Sequence, residues 1–227
     1  MIDKPDAHTK QQQAEATLHQ LVQDIDNHPH DYRPYYDLSV LLIELHSYTQ
    51  AEELLVKALG LFQDRSRTAK NLLTYGLGNV YYSAGQYQKA ITEFQQVNDQ
   101  QLQHDAYLML AQSYMGEHDY QHAVAFLLTA QETSRQDPTV NRLLGQSLLA
   151  LGDFKQAASF YDQVLQAQPQ DLVANFDRGL IALVLGATAE PYFEKVKTID
   201  PQYYSQQQQR ITAIKEQIKA KQQRTDS

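Results

Sequence analysis

The sequence lacks several residue types and segments, and each absence excludes a class of protein. Among its 227 residues there is no cysteine, so the chain can form no disulfide, thiolate metal site, iron–sulfur cluster or cysteine nucleophile. No apolar run approaches the ~18 residues that a membrane-spanning helix needs, and the first residues lack the apolar segment of a secretory signal. We therefore expect a cytoplasmic protein with no membrane partner.

Positive charge is also scarce. The chain has 19 Lys and Arg residues against 27 Asp and Glu, which gives a net charge of -8 at pH 7. A chain this acidic repels a phosphate backbone, so nucleic acid is not expected as a partner. Hydrophobic residues make up 42 % of the sequence, enough for a folded protein with a sizeable core.

What the sequence does contain is a repeat of about 34 residues. Three registered copies begin near Leu77, Leu110 and Leu144. Each copy carries a small residue in its first half, an alanine in its second half, and aromatic or apolar residues at matching places. The small residues are Gly78, Ala111 and Gly145, and the alanines are Ala90, Ala123 and Ala157. A further copy lies upstream around Ala51, and a degenerate one lies downstream around Gly179.

The spacing within each copy predicts a pair of antiparallel helices. Apolar residues fall three and four apart, and a glycine or polar turn interrupts the run midway. Helix starts are marked as well. Asp137 and Asp200 each precede a proline, as an N-cap residue precedes a first-turn proline, and Asp153 with Gln156 predicts a capping box.

In these small and aromatic positions the chain resembles the tetratricopeptide repeat (TPR) family over residues 32–201. No copy has the tryptophan that often opens the first helix of the family's repeat, and Tyr35 and Tyr107 occupy two of those places. The resemblance implies an all-α, right-handed α-solenoid of antiparallel helix pairs. We expect five pairs, at 32–65, 71–102, 104–136, 138–170 and 171–201, the last degenerate.

Both ends are predicted to carry capping helices, because terminal units of a stacked array need a polar outer face. An N-terminal cap is expected over 1–31, and a C-terminal capping helix and tail over 202–227. The apolar residues of the two caps are Leu18, Leu21, Val22 and Ile25, and Tyr204, Ile211, Ile214 and Ile218. The C-terminal segment is basic, so a membrane or partner-binding role is the alternative to capping.

The sequence offers little catalytic or metal-binding chemistry. His28 and His30, and His118 and His122, are the closest histidine pairs, and neither has further ligands at a suitable spacing. No glycine-rich phosphate loop or nucleophile elbow is present. We expect no catalytic residue, no metal and no cofactor, and hence a protein that is not an enzyme.

A second stripe on the first helix of each pair is apolar and aromatic, where a solvent-facing stripe would be richer in charge. The resemblance places this stripe on the concave face of the solenoid and implies a groove for protein or peptide. The predicted groove residues are Tyr36, Tyr75, Asn79, Tyr82, Leu108, Gln112, Met115, Arg142, Gln146 and Phe176. Asn79, Gln112 and Gln146 recur at one repeat position, and such amides could hydrogen-bond an extended peptide.

The sequence thus predicts a non-catalytic protein- or peptide-binding adaptor or scaffold. A carboxylate clamp of the chaperone-docking kind is disfavoured, because Tyr36, Gly76 and Met109 stand where cations and amides would be needed. The alternative is a self-associating structural protein whose groove is filled by its own C-terminal helix or by another protomer. In the fifth pair the stripe is also explained by burial under that helix.

Overall fold

The computed structural model describes residues 7–134 and 137–225, which form twelve α-helices and no strand. Residues 1–6, 135–136 and 226–227, which belong to the predicted N-terminal cap, third pair and tail, lie outside the described residues. The described chain divides into two compact units, residues 1–118 and 119–227. No helix among the described residues is both long and apolar enough to span a membrane.

The N-terminal unit contains six helices. They are α1 (Ala7–Asn27), α2 (Arg33–Glu44), α3 (Tyr48–Phe62), α4 (Arg67–Ser83), α5 (Tyr87–Phe94) and α6 (Gln103–Gly116). Each helix packs on the next, and α4 also contacts α2 and α6, the first helices of the neighbouring pairs. The first helices therefore lie side by side in this unit and present one continuous face.

The C-terminal unit contains the other six helices. They are α7 (Tyr120–Thr133), α8 (Pro138–Ala150), α9 (Phe154–Ala167), α10 (Leu172–Val184), α11 (Glu190–Ile199) and α12 (Pro201–Thr225). Here too α10 contacts α8 as well as α9 and α11, and α12 packs on both α10 and α11. The expected all-α solenoid of helix pairs is confirmed, since each unit is a stack of such helices.

Small residues let the two helices of a pair approach closely, as the repeat predicts. A methyl group added at Gly78 would lie 2.5 Å from Cε1 of Phe94, and one at Gly179 would lie 2.7 Å from Cε1 of Phe193. The alanines of the second helices are fully buried. In each of these pairs the aromatic ring occupies the space that a side chain on the first helix would need.

The predicted helix starts are confirmed at three aspartates. The Asp137 carboxylate accepts a hydrogen bond from the Thr139 N–H at 2.7 Å, and that of Asp200 accepts one from the Tyr203 N–H at 2.9 Å. Asp153 accepts from the Gln156 N–H at 3.1 Å. The reciprocal half of the capping box is wrong, because the Asp153 N–H already donates to Leu148 O in the preceding turn.

The turns between paired helices share one backbone feature. His46, Gly85, His118, Gly152 and Gly186 all have a positive φ, between 57° and 81°. These residues occupy the same place in successive repeats. Glycine adopts this conformation without strain, whereas histidine tolerates it at some cost. The position of His118 in a turn explains why it does not share a helix face with His122.

Candidate functional site

Seven of the ten predicted groove residues lie on the first helices of the N-terminal unit. We call this set the tyrosine face: Tyr36 on α2, Tyr75, Asn79 and Tyr82 on α4, and Leu108, Gln112 and Met115 on α6. All seven side chains are half-buried. The opposite sides of the same helices carry buried residues such as Leu38, Leu73 and Leu110, which hold the helices in the core.

Close packing between helices orients the rings of this face. The Tyr36 ring lies over Gly76 of α4, where an added methyl group would be 3.1 Å from Tyr36 Cδ2. The Tyr75 ring lies 5.6 Å from that of Phe94, and the Tyr82 ring lies 5.6 Å from that of Tyr87. Each tyrosine of the face is therefore supported from one side by the fold.

Burial and acidic neighbours govern the electrostatics of the tyrosine face. Burial, with the charges of Asp105 and Tyr36, raises the pKa of Tyr75 to about 12, although a hydrogen bond with Asn79 opposes the shift. Burial, then the charges of Asp37 and Asp105, raises the pKa of Tyr36. Both phenols are therefore neutral at pH 7, and the negative charge of Asp105 reaches rings on two other helices.

The amides of this face are engaged within their own helices. Asn79 hydrogen-bonds Tyr75, one turn earlier on α4. The Gln112 side-chain N–H donates to Leu108 O at 3.5 Å and lies 3.7 Å from Met109 Sδ. Both contacts of Gln112 are long, so a ligand with better geometry can replace them. The amide ladder stays a prediction, and its third member, Gln146, lies half-buried on α8 of the C-terminal unit.

The remaining predicted groove residues lie in the C-terminal unit, and one of those predictions is wrong. Arg142 and Gln146 are half-buried on α8. Phe176 on α10 is fully buried, with 0 % of its surface exposed. Its ring contacts Tyr203 of α12 at 5.6 Å and Phe193 of α11 at 6.0 Å. Phe176 is thus a core residue, because α12 covers the side of α10 that the repeat pattern assigns to the groove.

Next to Phe176 lies a buried polar cluster that sequence reasoning missed. Asp177 is 7 % exposed, and the Tyr161 hydroxyl donates to its Oδ2 at 2.8 Å. Arg210 of α12 lies 3.9 Å from Asp177 Oδ1, and its guanidinium carbon is 5.5 Å from the centre of the Phe176 ring. Burial raises the pKa of Asp177, while the Tyr161 hydrogen bond and the Arg210 charge oppose that shift. A signal for it is present in the sequence. An aromatic residue is followed by aspartate at the same repeat position in Tyr36–Asp37 and in Phe176–Asp177, and we call this dipeptide an aromatic–aspartate step.

Two clefts of the N-terminal unit lie outside the tyrosine face. An apolar cleft of about 400 Å³ between α1, α2 and α3 is lined by residues that include Leu18, Val22, Leu38 and Leu54. A polar cleft of about 540 Å³ at the start of α4 is lined by residues that include Arg65, Arg67, Lys70 and Asn98. Arg67 donates to Asn98 O at 3.2 Å, so that side chain already holds the loop after α5.

The histidines form no metal centre in the described part of the chain, where no three His, Asp or Glu side chains gather closely enough to hold an ion. His122 Nδ1 contacts Asp119 Oδ2 at 2.6 Å. The same carboxylate caps α7 by accepting from the His122 N–H at 3.2 Å. This pair is therefore explained by the start of a helix.

Comparisons with known proteins agree with the repeat pattern. Two sequence models described as tetratricopeptide repeat match residues 75–139 and 114–176. The sequence matches none of the curated proteins.

Solved structures with the same fold include three proteins of low identity. YrrB, a TPR protein with an unusual peptide-binding site, is 22 % identical with a TM-score of 0.62, over 80 % of this chain and 93 % of its own. MamA is 19 % identical with a TM-score of 0.63, over 74 % of this chain and 91 % of its own. Pseudomonas aeruginosa pilF is 16 % identical with a TM-score of 0.71, over 93 % of this chain and 91 % of its own.

The repeat motif, the stacked helix pairs and the matched sequence models agree on one assignment. By sequence over residues 75–176, and by fold over most of its length, the chain resembles the tetratricopeptide repeat family.

Proposed function

We propose that this chain is a non-catalytic scaffold that binds a protein or peptide through the tyrosine face. The observation that carries the proposal is the set of seven half-buried side chains on three neighbouring helices, α2, α4 and α6. Their rings are supported from behind by Gly76, Phe94 and Tyr87. A partner would therefore meet rings that lose little side-chain entropy on binding.

The composition of the face suits a protein partner. Tyrosine and methionine are enriched at the centres of protein interfaces, and tyrosine often carries a large share of the binding energy. Asn79 and Gln112 can each donate and accept hydrogen bonds, which suits the backbone of an extended peptide. YrrB, which shares the fold and has a peptide-binding site, supports the proposal by analogy of fold only.

The same composition argues for binding without catalysis. The phenols of Tyr36, Tyr75 and Tyr82 have raised pKa values and stay protonated near neutral pH. Amide, thioether and aliphatic groups make up the rest of the face. None of these groups acts as a general base or an activated nucleophile at pH 7.

Selection from a displayed library of random peptides tests this proposal. The chain is compared with a variant in which Tyr75, Tyr82 and Met115 are all replaced by Ser, and with a control that carries Val56→Ser and Leu61→Ser. The control residues are exposed apolar side chains on α3, with 52 % and 40 % of their surface accessible. We expect peptides that bind the chain and the control but not the triple variant, while circular dichroism shows that all three stay helical.

Peptides that bind all three proteins equally would contradict the proposal, because their site would then lie elsewhere. Loss of helicity in the triple variant alone would show that its residues are needed for folding. In that case single replacements of the same residues, checked for helicity, repeat the comparison.

A second candidate function is self-association, or occupation of the groove by the chain's own C-terminal helix. The observation that favours it is the contact of Tyr203 and Arg210, on α12, with Phe176 of α10. Light scattering at increasing concentration tests self-association. A mass that rises with concentration supports it, and a constant monomer mass leaves a different protein or the chain's own C-terminal helix as the occupant of the groove.

A further inference from the structure

The repeat places an aromatic residue followed by aspartate at the same position in two first helices. On α2 the step is Tyr36–Asp37, and on α10 it is Phe176–Asp177. The intervening first helices have Tyr75–Gly76, Leu108–Met109 and Arg142–Leu143 at this position. The two steps therefore share a position in the repeat and a chemistry, and they can be compared directly.

In the C-terminal unit this step already holds a cation. The guanidinium carbon of Arg210 lies 5.5 Å from the centre of the Phe176 ring, and its Nη1 lies 3.9 Å from Asp177 Oδ1. A ring face attracts a cation through its quadrupole, and a neighbouring carboxylate adds a charge–charge attraction. The chain thus supplies its own occupant for the step on α10.

In the N-terminal unit the corresponding step is open. Asp37 is exposed and Tyr36 is half-buried. The nearby guanidinium of Arg33 is taken by Asp31, to which it donates from Nε at 3.0 Å and from Nη2 at 2.7 Å. Among the described residues, neither the Asp37 carboxylate nor the Asp105 carboxylate takes part in a hydrogen bond or ion pair. Neither carboxylate at the edge of the tyrosine face is therefore paired with a cation.

Asp105 extends the acidic site from α2 to α6. Its negative charge contributes to the raised pKa of both Tyr36 and Tyr75. No positive charge contributes to either shift. Burial raises the pKa of Asp37, with Asp31 adding to the shift and Arg33 opposing it, so that carboxylate would gain from a further cation. The exposed carboxylates of Asp37 on α2 and Asp105 on α6 thus give the tyrosine face a negative charge, which attracts a cation.

We propose that the tyrosine face binds a basic peptide segment, with a Lys or Arg side chain of the partner lying over the Tyr36 ring beside Asp37 and attracted also by the charge of Asp105. The inference rests on the proposed function and names the chemistry of its partner. The bound cation would take at Tyr36–Asp37 the place that Arg210 takes at Phe176–Asp177. Acidic or phosphorylated segments would be repelled by the same two carboxylates.

The displayed random-peptide library also tests this inference, now with two charge variants. The test variant carries Asp37→Asn and Asp105→Asn. The control carries Glu53→Gln and Glu132→Gln, which remove the same number of charges from exposed positions on α3 and α7. We expect peptides that depend on Tyr75, Tyr82 and Met115 to be enriched in Lys and Arg. Their Kd should rise about tenfold in the test variant and little in the control.

Two substitutions of Tyr36 separate the ring from its hydroxyl. Tyr36→Phe keeps an aromatic face and should change the Kd of the selected peptides by less than about threefold. Tyr36→Leu removes the ring and should raise that Kd by about tenfold or more. Thermal unfolding of both variants shows whether the N-terminal unit is intact.

Four results would overturn the inference. Face-dependent peptides without Lys or Arg, or with a Kd that Asp37→Asn and Asp105→Asn leave unchanged, would overturn it and leave the proposed function standing. An equal loss of peptide affinity in the test and control variants would show only a general attraction of basic peptides to an acidic protein. A library that yields no peptide dependent on the tyrosine face would overturn the proposed function as well.

Discussion

The two units place an aromatic–aspartate step at the same repeat position, but the surroundings of the two steps differ. In the N-terminal unit Tyr36 is half-buried and Asp37 is exposed. In the C-terminal unit Phe176 is fully buried and Asp177 is 7 % exposed. The difference comes from α12, whose Tyr203 and Arg210 cover α10. A residue's position in a repeat therefore predicts which way it faces, whereas the neighbouring elements decide whether that side is open.

The largest expected effect on this comparison comes from removing α12. Ile211 is 5 % exposed, and Tyr203, Tyr204 and Ile214 pack on the same core as Phe176 and Phe193. Complete burial of one such side chain stabilises the fold by about 1.5–3 kcal/mol. The loss of all four should therefore destabilise the chain more than any single substitution does. A chain ending at Asp200 should aggregate and show a lower Tm in the absence of lipid or partner.

A chain ending at Lys219 provides the matched control for that truncation. It keeps all four of those α12 side chains, so its Tm should stay close to that of the full chain. If the chain ending at Asp200 remains monomeric with an unchanged Tm, α12 is dispensable for the fold, and a partner-binding role for that helix would replace the capping interpretation.

The next largest effect is expected from truncating the two equivalent aromatic side chains, which should destabilise the two units to different extents. Phe176→Ala removes a fully buried ring and should lower the free energy of unfolding by about 3–5 kcal/mol. Tyr36→Ala removes a half-buried ring at the same repeat position and should cost about 1–2 kcal/mol. Urea denaturation followed by circular dichroism measures both values. Equal costs would mean that Tyr36 is as much a core residue as Phe176.

Substitutions at the close helix contacts should affect the two units alike. Gly78→Ala and Gly179→Ala each bring a methyl group within 2.7 Å of an aromatic ring in the core. The ring must shift, and such overpacking costs about 1–3 kcal/mol, less the gain in helix propensity. At Gly60 nothing lies within 4 Å, so Gly60→Ala should be neutral or stabilising by up to about 1 kcal/mol. Thermal unfolding of the three variants gives the comparison, and a Gly78→Ala variant as stable as Gly60→Ala would contradict it.

The smallest expected effect is on the pH dependence of stability, to which Asp177 and Asp37 should contribute differently. Burial raises the pKa of Asp177 above its usual 3.8, so the folded state holds the Asp177 proton more tightly than the unfolded state does. The resulting stabilisation is complete below pH 3.8 and is lost as the pH rises through the raised pKa. Relative to the Asp177→Asn variant, the chain should lose about 1.4 kcal/mol of its free energy of unfolding for each pH unit by which the pKa of Asp177 is raised.

The pKa of Asp37 is raised in the same direction, but this carboxyl is mostly accessible to solvent. Solvent screening should make the difference between the chain and Asp37→Asn vary less with pH. Urea unfolding at a series of pH values from below 3.8 to 7 measures both dependences. If the difference in unfolding free energy between the chain and Asp177→Asn does not change with pH, or changes less than the difference between the chain and Asp37→Asn, burial does not distinguish the two sites.

Much of the fold could be predicted from spacing alone. The recurrence of Gly78, Gly145 and Gly179 with Ala90 and Ala157 predicts close helix pairs, and the structure places a ring against each of these glycines. Asp137 and Asp200 are each followed by a proline, which predicts a helix start at each of them. Both carboxylates accept the expected backbone hydrogen bond. These features depend on residues within one repeat, so the sequence pattern contains them in full.

The candidate site could be predicted only in part. The sequence identifies the side of each first helix that carries Tyr36, Tyr75 and Phe176, because that side follows from helical periodicity. It does not show that Asp105 acts on rings of two other helices, or that Tyr161 donates to Asp177. Those interactions join residues from different repeats, and a local pattern does not fix the distance between them.

The sequence by itself determined the all-α class, the helix pairs, their caps and the acidic charge of the chain. These follow from local periodicity, side-chain size and ionisation, which need no tertiary contact. Only the tertiary structure decided that Tyr36–Asp37 is open while Phe176–Asp177 is closed by α12. Burial depends on which distant segment packs over a residue, and that packing reflects the whole core rather than any one repeat.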